Sequence, residues 1–422
     1  MIMPWYGVLP ERWESHRLKM MVNDIISKAN PQNRFYVGME NVSSWTARYI
    51  QTGLQTDGDC KEFIVGDVLF GKLRPYLAKI YVPSKDGVCS GEFLVLRGYK
   101  GNPLYLKYIL LTFEFIMLVN ASTYGAKMPR ANWQFIGDCL VPLPPRDEQD
   151  QIVRYLDWKV SQINKLINAK RRQIELLGEQ KRAVVNEALT RGSEGLETAR
   201  LKNLCQQIGD IDHKMPEAVD NGIPYISPTN FIGNNEIDFD NCKKISQNSF
   251  NELSRKIRPN YGDIIFSRYA TLGAVRIVKD SRDFLVSYSC VIIKPNERVL
   301  SEYLYYYLLS TAITNEIKNY SFETTQANIG IDSINRFRIM LPLKTKQHEI
   351  VAYLDQQCEN FDRIVAKLNE EITLFAEYRT RLISDVVTGK SDVRGVVVPE
   401  YEAVDEIADD KGKEDEEDME AE

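Results

Sequence analysis

One segment of the chain has the glycine and lysine spacing of a phosphate-binding loop. Gly66-Asp-Val-Leu-Phe-Gly71-Lys72 matches Gly-x4-Gly-Lys, in which backbone amides would cradle phosphates. Position 73 is a leucine where a magnesium-binding serine or threonine is required. Arg74-Pro75 follows, and this pair does not open a helix. The segment therefore does not predict a nucleotide site.

Other catalytic motifs are missing from the sequence. It has no Asn-Pro-Pro-aromatic or Asp-Pro-Pro-aromatic tetrapeptide for methyl transfer to a base, and no Gly-x-Gly-x-x-Gly, His-Glu-x-x-His or Gly-x-Ser-x-Gly. The 7 cysteines are scattered without a Cys-x-x-Cys pair, and the 3 histidines lie far apart. Zinc needs clustered thiolates or imidazoles. We therefore predict no catalytic residue, no metal site and no cofactor in this chain.

Charge is distributed unevenly over the 422 residues. Residues 400–422 carry 13 acidic side chains and two lysines, so the net charge of −6 corresponds to +5 on residues 1–399. A strongly basic nucleic-acid binder would have a pI above about 9. The composition leaves the partner open, while the scattered cysteines and the lack of a signal-peptide pattern predict a cytoplasmic protein.

The sequence is an internal repeat. A shift of 198 residues aligns residues 143–190 with 341–388 without a gap, and twelve of the 48 positions are identical. The same shift matches residues 105–111 to 303–309, where five apolar or tyrosine positions are identical. Farther upstream the alignment needs small gaps, and there Gly66-Asp67 aligns with Gly262-Asp263. A diverged tandem duplication explains this pattern.

Each repeat begins with a β-rich part and ends with a long helix. Short β-branched and aromatic runs such as 93–96 and 291–293 predict strands, and 105–119 and 303–317 predict helices packed on them. About residues 147–190 and 345–388, proline is absent and apolar residues recur every 3.5 positions. The two long helices are therefore predicted to pair antiparallel as a coiled coil, although each could instead pack on its own domain. The predicted seam includes Leu156, Ile163, Ile174, Lys181, Leu354, Phe361, Ile372 and Arg379.

With these motifs, the chain resembles the specificity subunit of type I restriction–modification systems over about residues 9–394. Leu9-Pro-Glu-Arg-Trp13 is similar to the family's opening, Val141-Pro-Leu-Pro-Pro145-Arg-Asp-Glu-Gln149 to its helix entry, and Leu382-Ile-Ser-Asp-Val-Val-Thr-Gly-Lys390 to its exit from the second helix. The second helix entry departs from the pattern because it lacks the double proline and the glutamate before Gln347.

The resemblance implies an α+β fold in which two β-rich target-recognition domains are separated by two long antiparallel coiled-coil helices, as a pseudo-twofold tandem repeat. The predicted domains are a first target-recognition domain (1–142), a first spacer helix (143–197), a second target-recognition domain (198–340), a second spacer helix (341–394) and a disordered acidic tail (395–422).

The resemblance also implies a non-catalytic subunit that reads a bipartite double-stranded DNA target. Two methyltransferase subunits, which would bind S-adenosylmethionine and methylate adenine, and restriction/translocase subunits using ATP and magnesium would be its partners. No membrane partner is expected.

Two groups of loop residues are the expected DNA contacts. The first follows the paired Gly-Asp motifs: Lys72 and Arg74 in one repeat, Arg268 and Tyr269 in the other. Basic side chains on such loops reach phosphates or guanine edges, although ordinary solvated charges remain the alternative. The second group precedes the long helices and consists of Tyr124, Lys127, Arg130, Asn132, Thr324, Thr325, Gln326 and Asn328. Asn132 and Asn328 share an Ala-Asn context and could instead cap a helix.

Two other functions remain open at the level of sequence. A non-catalytic scaffold, with two β-rich domains on a coiled-coil spacer, would bring two protein clients together, and the acidic tail favours protein partners slightly. A binder of single strands or RNA could use the 22 tyrosines, but several of these cluster in the apolar stretch 303–307, where core packing is expected.

Overall fold

The fold is described from a computed structural model covering residues 5–32, 34–53, 58–125, 127–191, 197–233, 235–269, 271–320 and 328–407. The chain divides into two compact units. Unit 1 comprises Met1–Arg172 and Leu368–Glu422, and unit 2 comprises Gln173–Lys367. Both long helices therefore contribute one part to each unit.

Unit 1 combines short strands with three short helices and the first part of a long one. Its strands are β1 Glu14–Arg17, β2 Asn23–Asp24, β3 Lys28–Ala29, β4 Tyr36–Val37, β5 Cys60–Phe63, β6 Val68–Gly71, β7 Ile80–Tyr81, β8 Gly87–Ser90, β9 Phe93–Arg97 and β10 Leu140–Leu143. Its helices are α1 Pro103–Leu110, α2 Phe113–Ala121, α3 Trp133–Asp138 and α4 Arg146–Thr190, whose last part belongs to unit 2.

These strands form three sheets in unit 1. The order β2-β9-β6-β7 is antiparallel throughout, and β3-β5-β8-β4 is antiparallel except for the parallel pair β4 and β8. Strand β1 pairs with β10 next to the start of α4. The core between the first sheet and the helices contains Phe70, Tyr105 and Phe115, all fully buried.

Unit 2 has the same kinds of elements, with one more strand and an additional short helix, α5, inserted between its strands. Its strands are β11 Glu197–Arg200, β12 Cys205–Gly209, β13 Ile223–Ile226, β14 Phe231–Ile232, β15 Glu236–Ile237, β16 Lys243–Ile245, β17 Ile264–Ser267, β18 Val275–Ile277, β19 Leu285–Val286, β20 Cys290–Pro295 and β21 Arg338–Leu341. Its helices are α5 Gln247–Leu253, α6 Ser301–Leu308, α7 Thr311–Tyr320, α8 Ile331–Asn335 and α9 Lys344–Val387, whose last part belongs to unit 1.

Two sheets of unit 2 repeat sheets of unit 1. The order β12-β20-β17-β18 corresponds to β2-β9-β6-β7, and β11 pairs with β21 as β1 does with β10. A sheet β16-β13-β19 and the hairpin β14-β15 complete the unit. The α+β fold predicted from the sequence, with two β-rich domains and two long helices, is confirmed by these elements.

Each of the apolar stretches 105–119 and 303–317 forms two helices where the sequence predicted one. In unit 1 the break lies at Thr112, whose backbone is extended (φ −64°, ψ 141°) and whose hydroxyl donates to the carbonyl of Ile109 at 2.8 Å. In unit 2 helix α6 ends at Leu308 and α7 starts at Thr311. Hydroxyl groups compete with the helical backbone for its carbonyls, which explains a break at this position.

Within each unit the two long helices pack antiparallel. In unit 1, Lys170 forms an ion pair with Glu371, and Asn164 accepts a hydrogen bond from Arg379 at 2.8 Å. As the residue number rises along α4, that of the contacting residue on α9 falls. In unit 2, Lys181 on α4 meets Asp362 on α9 at 2.6 Å.

A tyrosine and an aspartate that are identical in the two repeats form the same hydrogen bond in both units. Tyr108 donates a hydrogen bond to Asp157 at 2.6 Å, and Tyr306 donates the same bond to Asp355 at 2.7 Å, at the equivalent positions of the second repeat. The bonds fasten the equivalent short helices α1 and α6 to the long helices α4 and α9 that follow them. Burial and the neighbouring carboxylate raise the pKa of both tyrosines, so each hydroxyl remains a donor.

The structure describes the first part of the tail that the sequence predicts to be disordered at 395–422. Residues 396–407 lie in extended form along α4, and residues 408–422 lie outside the described part of the chain. Backbone groups of this segment bond to side chains of α4, including Ser161 and Asn168. These contacts are made by the peptide backbone, which explains why neither apolar periodicity nor composition predicted them.

No single helix in the described part of the chain combines the length and the apolar character needed to cross a membrane. The bent pair α1 and α2 meets those criteria only when the two helices are taken together, and most of its apolar residues belong to the core of unit 1.

Candidate nucleic-acid interface

The first group of candidate residues in unit 1 lies where β6 ends. The amide of Lys72 donates to Glu92 at 2.9 Å, and its carbonyl accepts from Ala131 at 2.9 Å, so the backbone continues an irregular pairing beyond the strand. The Lys72 side chain is half-buried. Burial raises the pKa of Asp24, and the charges of Lys61 and Lys72 oppose that increase. The ammonium group of Lys72 is therefore close enough to the carboxyl group of Asp24 to influence its pKa.

Arg74 has a left-handed backbone, with φ of 49°. Its amide donates to Pro129 at 2.8 Å, and a single turn of 3-10 helix, Pro75–Leu77, follows. A non-glycine residue in this conformation costs about 1 kcal/mol or more and persists only when its surroundings impose it. Here Pro75 and the bond to Pro129 impose it, and they fix the direction of the loop that bears Arg74.

The second group of candidates forms an adjacent loop in unit 1. Tyr124 and Arg130 exchange two backbone hydrogen bonds of 3.1 and 3.0 Å, which close the turn between them. Leu73 also bridges to Arg130, so the structure brings the two loops of this repeat together. Tyr124 is 60% exposed, and Lys127 is exposed. This loop pair presents a phenol and an ammonium group to solvent.

Arg130 and Asn132 already have partners within unit 1. Arg130 forms two bonds to the carboxylate of Glu92, at 3.1 and 3.2 Å, and this contact raises the pKa of the guanidinium. The Asn132 side chain accepts from the amide of Phe135 at 2.8 Å and caps α3. The sequence predicted either a DNA contact or a helix cap for Asn132, and the structure has the geometry of a helix cap.

Arg268 in unit 2 does not occupy the solvent-facing position expected for a DNA contact. It is only 7% exposed, and its guanidinium is 3.3 Å from the carboxylate of Asp210. It also donates to the carbonyl of Tyr288 at 3.2 Å and lies 4.7 Å from the ring centroid of Tyr269. A buried charge needs such partners, and its role here is to hold the loop together. A contact between Arg268 and DNA stays a prediction.

A cluster around Arg268 was not found by sequence reasoning. Lys256 bonds Asp210 at 3.0 Å, His213 lies 3.2 Å from the same carboxylate, and the His213 ring stacks on Tyr288 at 4.9 Å. Burial would raise the pKa of Asp210, but the bonds from Lys256 and His213 and the charge of Arg268 outweigh it and lower the pKa. No local sequence signal links Asp210 to Arg268, because the two lie far apart along the chain.

Asn132 and Asn328 share an Ala-Asn sequence context but do not occupy equivalent positions in the structure. Asn328 bridges to Tyr269, and the next amide, that of Ile329, donates to Arg268. Arg130 and Ala131 make the corresponding contacts in unit 1, so Asn328 is equivalent to Arg130 and not to Asn132. Gly330 precedes α8, and Asn328 does not cap that helix. Thr324, Thr325 and Gln326 lie outside the described residues.

The predicted seam residues lie on the inner sides of the long helices. The buried ones are Leu156, Ile163, Leu354 and Arg379, and the half-buried ones are Ile174, Lys181, Phe361 and Ile372. The two charged members each contact the other long helix, Lys181 through Asp362 and Arg379 through Asn164. Lys181 and Arg379 occupy equivalent positions of the two repeats, and so do their partners.

The described residues of the candidate site offer groups that contact polar ligands. Among the described residues, no three His, Cys, Asp or Glu side chains lie close enough to hold a metal ion. Burial raises the pKa of several thiols, that of Cys89 to about 12, so these remain protonated and unreactive at neutral pH. The segment 66–72 runs into strand β6 rather than into a helix. Loop cations, amides and a tyrosine instead suit phosphate and base-edge contacts.

Comparisons with known proteins agree with these features. A model of the type I restriction modification DNA specificity domain matches residues 193–374. The chain is 29% identical over 159 residues to the type I restriction enzyme EcoDI specificity subunit of Escherichia coli, a match covering 35% of each chain. It is 23% identical over 421 residues to the MjaVIII specificity subunit of Methanocaldococcus jannaschii, covering 92% of this chain and 95% of that one.

One solved structure shares the fold over most of its length. It was determined in work on complex assembly and conformational transition of the type I R-M system. The similarity has a TM-score of 0.67 at 19% identity and covers 91% of this chain and 100% of the other.

Proposed function

Because the chain belongs to the specificity-subunit family of type I restriction–modification systems, which recognise DNA sequence, we propose that it reads a bipartite double-stranded target. Each β-rich unit contacts one half of the target, and a fixed gap separates the halves. The other subunits of the complex carry the chemistry.

The repetition of one scaffold with different loops carries this proposal. The bonds Tyr108–Asp157 and Tyr306–Asp355 fasten equivalent helices in the two units. The loops that bear the candidate residues differ: Lys72 and Arg130 in unit 1 correspond to Arg268 and Asn328 in unit 2. A constant framework with divergent polar loops is the arrangement expected when two copies of one domain read two unlike sequences.

Exposed apolar side chains on the long helices support docking of partner subunits. Leu374 and Tyr378 of α9 in unit 1, and Tyr353 and Ile364 of α9 in unit 2, are each about half exposed. Large apolar groups that face solvent on a helix are typical of surfaces that another protein covers. We infer that two adenine methyltransferase subunits and the restriction subunits bind along these helices.

The chain itself is proposed to catalyse nothing. Family members generally act as non-catalytic subunits, and the polar loops described above hold cations, amides and hydroxyls without a nucleophile–base pair. S-adenosylmethionine belongs to the methyltransferase partner, and ATP and magnesium to the restriction partner. The contribution of this chain is binding energy that differs between the correct sequence and all others.

Single-molecule methylome sequencing tests the proposal. Cells expressing the chain with its candidate adenine methyltransferase should gain methylated adenines in one split motif, two short half-sites around a fixed unspecified gap. Cells expressing the methyltransferase alone are the control and should lack this motif. A stable complex that adds no methylation would instead favour a scaffold without a DNA-reading role.

A further inference from the structure

The described part of the tail is held in unit 1 mainly through its backbone. The Ser161 hydroxyl accepts from the amide of Val404 at 2.8 Å, and the Asn164 amide donates to the carbonyl of Val404 at 3.1 Å. One turn later along α4, Asn168 donates to the carbonyl of Asp405 at 2.8 Å and accepts from the amide of Ile407 at 2.9 Å. Side-chain amides and hydroxyls on one helix face thus pair with an extended peptide, as a neighbouring strand would.

Cations next to this row hold the acidic side chains of the segment. Glu406 is 2.7 Å from Arg171 and also pairs with Arg379, which Asn164 orients. Arg48, from the loop after β4, donates to the carbonyl of Glu406 at 2.6 Å and lies 3.8 Å from Asp405. Three arginines from three parts of unit 1 therefore converge on two consecutive acidic residues.

The segment contributes little to the apolar core. Val397 is 87% exposed and Ile407 is 58% exposed, while Tyr401 and Val404 are only half-buried. Most of its attachment consists of hydrogen bonds and ion pairs close to solvent, each of which adds modestly to stability. An attachment of this kind opens locally without unfolding the domain.

The same helix face in unit 2 is uncovered by the described residues. In unit 1, several side chains surround the tail segment. Their counterparts in unit 2 line a cavity of about 640 Å³ and are Lys181, Tyr305, Tyr306, Asp355, Glu359 and Asp362. Each is the repeat counterpart of a unit 1 residue that surrounds the tail segment. Within the described ranges, unit 2 therefore completes its sheets and helix pairing without a segment equivalent to residues 396–407.

We propose that the face of unit 1 under residues 396–407 is a binding groove for an extended acidic peptide of a partner protein, and that the chain's own segment is its internal occupant. A partner segment carrying two consecutive acidic residues displaces the chain's own segment and takes its bonds to Asn168 and Arg171. This inference goes beyond DNA recognition and does not depend on it, because it concerns only the helix face of unit 1.

The groups that hold the peptide backbone differ between the two units. Ser161 and Asn164 correspond to Glu359 and Asp362 in unit 2, where carboxylates replace the hydroxyl and the amide. An ionised carboxylate accepts hydrogen bonds but does not donate them, so Asp362 would not bind a peptide carbonyl as Asn164 binds that of Val404. Selectivity between the two faces follows from these two substitutions.

Binding of a labelled peptide to the full-length chain tests the proposal. The peptide has the sequence of residues 396–407, and its binding is followed by fluorescence anisotropy. The tethered segment competes at a high effective concentration, so the unaltered chain should bind the peptide weakly. Glu406→Lys places a cation beside Arg171 and Arg379, releases the tethered segment and should tighten peptide binding at least about tenfold.

A second change in the released chain identifies the groove. Adding Arg171→Glu to Glu406→Lys should abolish peptide binding, whereas Lys165→Glu, the same charge change at an exposed position of α4, should leave it unchanged. Lack of binding by a folded Glu406→Lys chain, or binding insensitive to Arg171→Glu, would overturn the proposal.

Hydrogen exchange of the unaltered chain gives an independent result. The amides of Val404 and Ile407 should exchange by local opening, well before those of the buried strand β9. Exchange of both sets only on global unfolding would mean that the segment is a fixed part of unit 1, and the groove assignment would be wrong.

Discussion

The ammonium group of Lys181 lies 2.6 Å from a carboxylate oxygen of Asp362 in unit 2. The corresponding pair in unit 1 is Arg379 with Asn164 at 2.8 Å, and both of its members are the repeat counterparts of the first pair. A polar pair in a mostly apolar seam favours a single register of the two helices. Both repeats thus have this contact, as an ion pair in unit 2 and as a charge–amide bond in unit 1.

Lys181→Glu should weaken the pairing of the long helices in unit 2. The new carboxylate would face Asp362 and replace an attraction by a repulsion. Because both side chains are partly solvated, we expect a loss of about 1 kcal/mol in the free energy of unfolding, measured by urea denaturation. Assembly with the methyltransferase should weaken as well.

The charge swap is the control for that prediction. Combining Lys181→Glu with Asp362→Lys should recover most of the loss, because the pair is restored in reverse. Full stability and normal assembly of the single variant would show that this contact does not set the helix register.

Arg268→Ala should destabilise unit 2 instead of specifically weakening DNA binding. Removing the guanidinium leaves Asp210 buried with fewer partners, and breaking a buried pair costs about 3 kcal/mol. Thermal or urea unfolding measures the loss, and Arg258→Ala, at an exposed arginine of the same unit, should have little effect. Unaltered stability with a large loss of DNA affinity would return Arg268 to the DNA interface.

Lys72→Ala should weaken DNA binding by the assembled complex while leaving the fold intact. Because the variant removes one cation that would neutralise a phosphate, the slope of log affinity against log salt should also fall by about one unit. Affinity is measured over a range of salt concentrations with the methylated motif as the probe. Unchanged affinity and slope would remove Lys72 from the interface.

The stability contributed by Asp210 should depend on pH. Despite burial, its bonds to Lys256 and His213 and the charge of Arg268 hold its pKa below the usual 3.8. A carboxyl group with a lowered pKa in the folded state stabilises the fold above the usual pKa of 3.8, and this contribution is lost as the pH falls through the folded-state pKa. Asp210→Asn should therefore cost most at about pH 7 and progressively less below about pH 4.

Urea unfolding of the unaltered chain and of the Asp210→Asn variant, between neutral and acidic pH, measures this difference. Asp220→Asn, at an exposed position of the same unit, serves as the matched control and should show no comparable trend. A cost of Asp210→Asn that stays constant down to about pH 3 would argue against the carboxylate cluster.

Gln347→Ala should destabilise the start of α9. This side chain is 1% exposed, accepts from the amide of Leu300 at 2.8 Å, and donates to the carbonyls of Arg298 and Pro342 at 3.1 and 2.9 Å. Losing these bonds leaves buried backbone groups unsatisfied, at about 3 kcal/mol in unfolding free energy. Gln356→Ala, on an exposed face of the same helix, should change it by less than about 0.5 kcal/mol, and equal costs for the two variants would contradict this role of Gln347.

The long helices and the repeat could be predicted from the sequence because both depend on spacing. Tyr108, Asp157 and Gln149 are identical to their counterparts in the second repeat, and the structure gives each pair the same hydrogen-bonding role. Apolar periodicity, in the same way, placed Leu156 and Leu354 on buried faces. Local patterns of this kind are retained after duplication because the same elements pack together in both copies.

The contacts that the sequence did not reveal depend on residues far apart in the chain. Burial of Arg268 requires Asp210, and capping by Asn132 requires α3 to start at Trp133. Side chains of α4 hold the tail segment through bonds to its backbone, and backbone bonds do not depend on the composition of the segment. An acidic, mostly polar segment is otherwise typical of disorder.

Exchange of one recognition domain tests the central claim most directly. Residues 1–142 are replaced by the corresponding part of a relative with a different target, and the methylome is sequenced in cells that also express the methyltransferase partner. We predict that one half-site of the split motif changes while the other half-site is retained. A change in both half-sites, or an unsplit motif, would contradict the assignment of one half-site to each unit.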